Sequence, residues 1–335
     1  MARVRRGAPV ALACMVLLTT AACGDDSSGG AAGGAEALPA VGDAAISGTD
    51  TYVQLPHGRV ELTVSDPEAL DPDLVEPGSD DGLADDQQVI GVDWEFVPSE
   101  GVPDDVTGFV IADDVPATVS VVVGDEEYAL GDAYSVAGGS STGTTAAFVP
   151  VGSGDDLDDV RVDVDFDGVR LGVGVGSGER TPAGAGELYA DEAGPTDLAC
   201  EPSLEPASVS GRLTCTVAAR SLAWVSDLGW ADDGSTWWVV DAYTGARDLR
   251  DGSGGRYGVT AMEDASTVAD SPADATLLTD FLTAESALRT QQVFAGDEAS
   301  PPAISLVRTL TWSEQDAGSL TDGDPLRLVA DVGTS

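Results

Sequence analysis

The sequence predicts an all-β protein built from two β-sandwich domains. Apolar and polar residues alternate with a period of two in many short stretches, and Gly, Pro and Asp turns separate those stretches. Long amphipathic helical periods are absent, and the one helix candidate, "LLTDFLTAESALR", has β-branched neighbours that leave its assignment ambiguous. Short strands with one buried face, separated by such turns, are typical of a β-sandwich.

The clearest hairpin lies in "DDVRVDVDFDGVRLGVGV". The dipeptide Asp167-Gly168 favours a two-residue type I′ turn, which fixes the pairing of the strands on either side. In that register four apolar pairs share one face, while Asp165 lies beside Arg170 on the other face. The apolar pairs are Phe166 with Val169, Val164 with Leu171, Val162 with Val173, and Val160 with Val175.

The acidic stretch "DVDFDG" does not fit an EF-hand calcium loop, because the position that requires a bidentate Glu is Gly174. A second acidic stretch, "GSGDDLDDV", is flanked by glycines that allow it to curl. Its carboxylates, which are the candidate ligands of a calcium-dependent module, belong to Asp155, Asp156, Asp158 and Asp159. No complete ligand set can be written down, so we predict no cofactor and keep calcium as an alternative.

Further strands are predicted along the whole chain. They lie in "GRVELTVS", "QVIGVDWEFVP", "ATVSVVVGDEEYAL" (two strands joined at Gly124-Asp125), "RLTCTV", "STWWVVDAY" and "AISLVRTLTW". Adjacent residues of a strand point to opposite faces, so one of Trp237 and Trp238 is expected in the core. The other is either covered by a loop or an exposed contact for a protein or a glycan, and the two are our candidate contact aromatics.

The first residues, "MARVRRGAPVALACMVLLTTAACGDD", contain the parts of an export signal: a charged start, an apolar run and small residues before Cys23. This segment resembles the lipobox of bacterial lipoproteins, although Thr20 stands where leucine is usual. The resemblance implies that residues 1–22 are removed and that Cys23 carries the lipid (diacylglycerol, palmitate) anchoring the chain to the outer face of the cell membrane. The following residues, 23–47, are rich in Gly, Ala and Ser and are predicted to form a flexible tether.

Three pairs of segments suggest an internal duplication. "DFDGVRLGVGVG" is similar to "DGDPLRLVADVG", "ATVSVVVGDEEYAL" to "ATLLTDFLTAESAL", and "AFVPVGSGDD" to "QQVFAGDEAS", all in the same order. We therefore predict domains at 48–190 and 199–335, joined by "DEAGPTDL". This organisation resembles the tandem immunoglobulin-like domains of Gram-positive surface lipoproteins in architecture only, because the Cys–Trp–Cys spacing of true immunoglobulins is absent.

The composition limits the partners. The formal net charge is −44, and the chain contains no lysine and no asparagine. So acidic a chain repels nucleic acid and anionic lipid and attracts cations, although the charge also serves solubility. The missing residue types avoid A-rich codons, which, together with the lipobox, suggests an actinobacterium.

The remaining cysteines predict one disulfide. Cys14 leaves with the signal and Cys23 takes the lipid, so only Cys200 and Cys215 remain in an oxidising compartment, with no other metal ligands nearby. "RLTCTV" directs Cys215 into the core layer.

No catalytic residues can be named. The one histidine, His57, precedes "GSSTG", whereas a nucleophile elbow at Ser141 requires a later histidine and a following helix. "DGSGG" at 251–255 is a loop rather than a protease signature, and the abundant carboxylates identify no hydrolytic pair. We therefore expect a non-catalytic binding or scaffolding lipoprotein with an unidentified extracellular protein or glycan partner. The alternatives are a calcium-dependent adhesion module and a carboxylate-based hydrolase.

Overall fold

The computed structural model describes residues 35–41, 45–79, 83–84, 87–112, 114–135, 146–152, 154–182, 188–189, 194–297, 299–321 and 325–333. In these ranges the chain is built from β-strands and a few short 3-10 turns, which confirms the predicted all-β class. No helix among the described residues has the length and apolarity that crossing a membrane requires. Cys23 and Ser141 lie outside the described residues.

The strands fall into two groups along the chain, which we call the N-terminal half (35–189) and the C-terminal half (194–333). The strands of the N-terminal half are β1 (Ala35–Glu36), β2 (Leu38–Pro39), β3 (Thr49–Leu55), β4 (Gly58–Val64), β5 (Glu68–Ala69), β6 (Gln88–Pro98), β7 (Ala117–Val123), β8 (Glu126–Asp132), β9 (Ala146–Val151), β10 (Val160–Phe166), β11 (Val169–Gly174) and β12 (Arg180–Thr181). The strands of the C-terminal half are β13 (Thr196–Cys200), β14 (Ser203–Glu205), β15 (Val209–Leu222), β16 (Trp224–Val225), β17 (Gly229–Trp230), β18 (Ser235–Asp251), β19 (Arg256–Asp264), β20 (Thr267–Val268), β21 (Ala275–Leu282), β22 (Ala287–Asp297), β23 (Ile304–Asp316) and β24 (Leu326–Gly333). The 3-10 turns are Pro72–Leu74, Thr107–Phe109 and Leu157–Asp159.

The N-terminal half consists of two sheets that share one apolar core. One sheet has the order β1-β8-β7-β10-β11-β12, and the other has the order β2-β9-β6-β4-β3, with β5 beside β6. Alternate residues of both sheets point into the core, for example Val162 and Val164 of one sheet and Leu62 and Val92 of the other. This two-layer arrangement is that of a β-sandwich.

The hairpin formed by β10 and β11 has the predicted register. Phe166 pairs with Val169 and the ladder continues to Arg161 with Gly174. Asp167 and Gly168 have φ angles of 47° and 77°, as a type I′ turn requires. The predicted cross-strand ion pair joins Arg170 to Asp165 at 3.1 Å. The aspartates of this stretch therefore belong to a strand and its turn.

The predicted tether is too long at its C-terminal end. Ala35–Glu36 pairs with β8 in one sheet, and Leu38–Pro39 pairs with β9 in the other. Leu38 is buried together with Phe148, so this segment is held by packing as well as by the ladders. The ordered sandwich therefore begins at residue 35 rather than 48, because Gly- and Ala-rich composition does not reveal edge pairing.

Ten strands of the C-terminal half form one sheet that folds back around its own core, and β16 and β17 form a separate two-stranded hairpin. The main path runs β14-β24-β13-β15-β18-β19-β23-β20, and a further pairing of β24 with β23 closes it into a circuit. The hairpin of β21 and β22 joins the free part of the long strand β18. Apolar residues from all parts of this sheet share a second core, separate from that of the N-terminal half.

The one helix candidate is a hairpin. "LLTDFLTAESALR" spans the end of β21, a tight turn and the start of β22, with Leu282 paired to Ala287. Its turn residue Ser286 has a φ angle of 46°. Leu, Ala and Glu favour helix locally, but pairing with β18 along eleven residue positions outweighs that weak preference.

The segments that suggest an internal duplication have different neighbours in the sheets. The counterparts of the β7–β8 and β10–β11 hairpins are β21–β22 and β23–β24, and each of these also pairs internally. Their other neighbours differ, since β7 pairs with β10, whereas β22 pairs with β18 and β23 pairs with β19. The order of strands in the sheets is therefore not repeated.

The predicted disulfide is present. Cys200 and Cys215 are bonded, with their Cα atoms 5.8 Å apart, and both contact the core of the C-terminal half. The bond lies where β13 changes neighbour, because Leu198 still pairs with Val217 of β15, whereas Cys200 already pairs with Val332 of β24. The bond thus keeps β13 attached to β15 beyond the end of their ladder.

A buried arginine occupies the core of the C-terminal half. Arg308 is fully buried and forms an ion pair with Asp264, its neighbour on β19. Its guanidinium also donates to the hydroxyls of Thr244 (3.1 Å), Ser266 (3.0 Å) and Thr290 (2.9 Å). Burial lowers the pKa of Arg308 to about 10, so it stays charged at neutral pH. The network joins β18, β19, β22 and β23.

Candidate functional site

The outer face of β3, β4 and β6 carries an open cavity, an acidic groove of about 640 Å³. The strand registers create it. One row across the three strands contains Asp50, Thr63 and Asp93, and the next contains Tyr52, Glu61 and Glu95. Apolar residues alternate with these along the strands and point into the core. The polar residues therefore lie together on the opposite, outer face, where they line the groove.

Part of the groove is already paired. Thr63 donates its hydroxyl proton to the Asp50 carboxylate at 2.9 Å. Arg59 forms an ion pair with Glu61 and has a second, longer one with Glu100 at 3.7 Å. Glu95 is exposed. Four carboxylates against one arginine leave the lining of the groove negatively charged.

The groove also contains an unfavourable juxtaposition. Glu61 lies directly opposite Glu95 on the neighbouring strand. Like charges at directly opposed positions of an antiparallel pair destabilise a sheet. Within a sheet, such a violation of a local rule is more often found at functional positions than elsewhere.

Arg180 packs against the edge strand β3, beside Tyr52 of the groove. Its guanidinium lies over the rings of Tyr52 (4.5 Å) and Tyr189 (4.7 Å) and donates to the carbonyl of Tyr52. The Tyr189 hydroxyl accepts from the backbone N–H of Gln54 at 3.0 Å. Burial raises the pKa of the Tyr189 phenol, so it remains neutral at physiological pH. These contacts cover an edge that would otherwise expose backbone donors.

The predicted calcium ligands do not converge. Asp155 accepts from the backbone N–H of Gly152 at 2.6 Å, and Asp156 accepts from that of Asp158 at 2.9 Å. Asp156, Asp158 and Asp159 are exposed around a short 3-10 turn. Among the described residues no three carboxylate, histidine or cysteine groups are placed to hold a metal ion. The carboxylates of this stretch serve its local turns.

The candidate contact aromatics point to opposite faces, as predicted, but neither presents an exposed ring. Trp238 is 6% exposed in the core of the C-terminal half, and its indole N–H donates to the carbonyl of Asp297 at 3.0 Å. Trp237 is half-buried against a separate apolar cluster and donates to the carbonyl of Gly229 at 2.9 Å. Trp238 therefore lies in the core, and Trp237 is partly covered by the apolar cluster around it.

His57 and Asp251, which were considered as candidates for catalysis, lie among aromatic rings and at a turn, respectively. His57 lies among aromatic rings, with its own ring centre 4.9 Å from that of Phe96 and 5.2 Å from that of Phe166. Asp251, the first residue of "DGSGG", accepts hydrogen bonds from Tyr257 at 2.7 Å and from the backbone and side chain of Ser253. The hydroxyl of Tyr257 above all holds the pKa of Asp251 well below its usual range. This carboxylate organises the β18–β19 turn.

Comparisons with known proteins give no further guide. No protein-family model, no curated protein and no solved structure matches the chain.

The sequence reasoning missed the groove. Its signal was present in part, because "VDWEFV" alternates acidic and apolar residues, and "DTYVQL" and "RVELTV" each contain one acidic residue. Such a pattern shows which face of its own strand an acidic residue occupies. It does not show that these three strands are neighbours, and only that adjacency assembles the groove.

Proposed function

We propose that the chain is a bacterial surface lipoprotein whose folded part is a non-catalytic binding module. The lipobox-like segment ending at Cys23 supports the anchor. The binding surface we infer is the groove on β3, β4 and β6, and the observation that carries this inference is its size together with its one-sided charge.

The chemistry of the groove suits a cationic organic group. Cβ atoms of directly opposed residues on neighbouring strands are about 5 Å apart, a separation at which an ammonium or guanidinium group can contact both carboxylates. Such a group would relieve the repulsion between Glu61 and Glu95. Because the groove is open and Glu61 is already paired with Arg59, the arrangement is better suited to holding a ligand than to acid–base chemistry. The partner we infer is an extracellular protein or glycan that presents arginine, lysine or amino groups.

The lipid anchor predicts a simple change of location. Cys23→Ala is expected to move the protein from the membrane fraction to the soluble extracytoplasmic fraction, because the acyl chains are the anchor. Fractionation followed by immunoblotting measures this. Cys14→Ala, which alters a cysteine inside the signal, is the control and should leave the protein in the membrane fraction. Retention of the Cys23 variant would contradict the anchor.

The groove predicts charge-specific binding at one place on an acidic protein. An octa-arginine peptide is expected to bind at low salt, and Glu61→Gln with Glu95→Gln is expected to weaken it at least fivefold. Isothermal titration calorimetry measures the affinity. The same double variant removes a like-charge pair and also the partly exposed Arg59–Glu61 ion pair, so the melting temperature should change little.

The control removes the same net charge elsewhere. Asp232→Asn with Asp233→Asn alters two exposed carboxylates in the loop before β18. We expect this pair to change the affinity less than twofold. Equal weakening by both double variants would mean that the peptide responds only to the net charge of −44 and that the groove is not the site.

A further inference from the structure

The hairpin formed by β16 and β17 belongs to the C-terminal half by sequence but packs into the N-terminal half. Trp224 is 2% exposed and is part of the core of the N-terminal sandwich. Its ring meets that of Phe166 edge-on at 5.2 Å between centres. Its indole N–H donates to the carboxylate of Asp167 at 2.6 Å, in the turn of the β10–β11 hairpin. The C-terminal half therefore completes one end of the N-terminal core.

The same hairpin is held on both sides. Trp230, the partner of Trp224 in the hairpin, donates its indole N–H to the carbonyl of Phe166 at 3.3 Å. From the opposite side, Trp237 of β18 donates to the carbonyl of Gly229. The β16–β17 hairpin therefore contacts both β18 and the tip of the β10–β11 hairpin.

A second set of contacts joins the halves beside the hairpin. Val106 and Phe109 of the N-terminal half share an apolar cluster with Val225, Val239 and Val293 of the C-terminal half. The backbone at this junction is also paired, because the N–H of Ser226 donates to the carbonyl of Phe109 at 2.8 Å. An ion pair joins Arg220 to Asp105 at 3.2 Å.

We propose that the β16–β17 hairpin is a clasp that makes the two halves unfold as one cooperative unit and fixes the angle between them. Two domains joined by a polar linker are expected to move independently unless the interface between them is large and apolar. Here the interface contains two tryptophans, and one of them is core to the other half.

The test is differential scanning calorimetry of the full chain with Trp224→Ala. Wild type is expected to melt in one transition, with calorimetric and van't Hoff enthalpies equal. The variant is expected to give two separate transitions, and small-angle scattering below the first should give a larger radius of gyration. Trp312→Ala is the matched control, because Trp312 packs on Tyr257 within the C-terminal half. It should lower the melting temperature while leaving a single transition.

A milder pair of variants covers the case in which Trp224→Ala does not fold. Asp167→Gly removes the acceptor of the Trp224 indole and tolerates the positive φ angle of this turn, and Asp270→Gly makes the same change at an exposed turn residue of the C-terminal half that also has a positive φ angle. Only the first should raise the ratio of calorimetric to van't Hoff enthalpy. Two transitions in the wild type, or one transition in both Trp224→Ala and Asp167→Gly, would overturn the proposal.

Discussion

Arg308→Met is expected to lower the free energy of unfolding by about 3–5 kcal/mol, because it leaves the Asp264 carboxylate in the core without its partner. The three hydroxyls that accept from the guanidinium lose their donor at the same time. Urea denaturation followed by circular dichroism measures the change. Arg327→Met, an exposed arginine on the neighbouring strand β24, is the control and should change stability by less than about 0.5 kcal/mol.

A double variant separates the ion pair from the packing. Replacing Arg308 by Met and Asp264 by Leu together removes both charges, and it is expected to recover part of the loss seen with Arg308→Met alone. If the single variant costs no more than the Arg327 control, the buried pair does not stabilise this core and the prediction is wrong.

Loss of the disulfide is expected to cost about 3 kcal/mol, the chain-entropy value for a closed loop of this length. The variant is Cys200→Ser with Cys215→Ser, and the wild type treated with a reductant should show the same loss. Chemical denaturation at equal ionic strength measures both. Because the bond holds β13 where its ladder with β15 has ended, hydrogen exchange should rise first at Ala199 and Cys200. Unchanged stability in both samples would contradict this expectation.

The sequence predicted those parts of the fold in which the alternation of apolar residues and the type of turn indicate the same strand register. The β10–β11 hairpin was predictable pair by pair, because a two-residue Asp-Gly turn permits one register and that register buries all the apolar residues. The β21–β22 hairpin was ambiguous because its residues favour helix, and its pairing with β18, whose paired residues lie 42 to 62 positions earlier in the chain, decided the outcome. The first strands were missed because pairing at a sheet edge leaves little trace in composition.

The candidate site and the clasp required knowledge of which strands are neighbours. Glu61 and Glu95 are 34 positions apart and face each other only because β4 and β6 pair. The adjacent Trp237 and Trp238 were visible in the sequence, which left open whether one of them is an exposed contact for a partner. The sequence did not indicate that Trp224 is buried in the core of the N-terminal half or that Trp230 is partly buried against that core.

The early start of the sandwich limits how far the protein can extend from a membrane. If Cys23 carries the lipid, only the eleven residues 24–34 separate the bilayer surface from β1. Fully extended, they reach about 40 Å, roughly half of what a tether continuing to residue 47 would permit. The groove, on β3, β4 and β6 of the N-terminal half, would then be confined to the innermost layer of the cell envelope. A ligand for it must therefore either originate at the membrane or cross the outer layers to reach it.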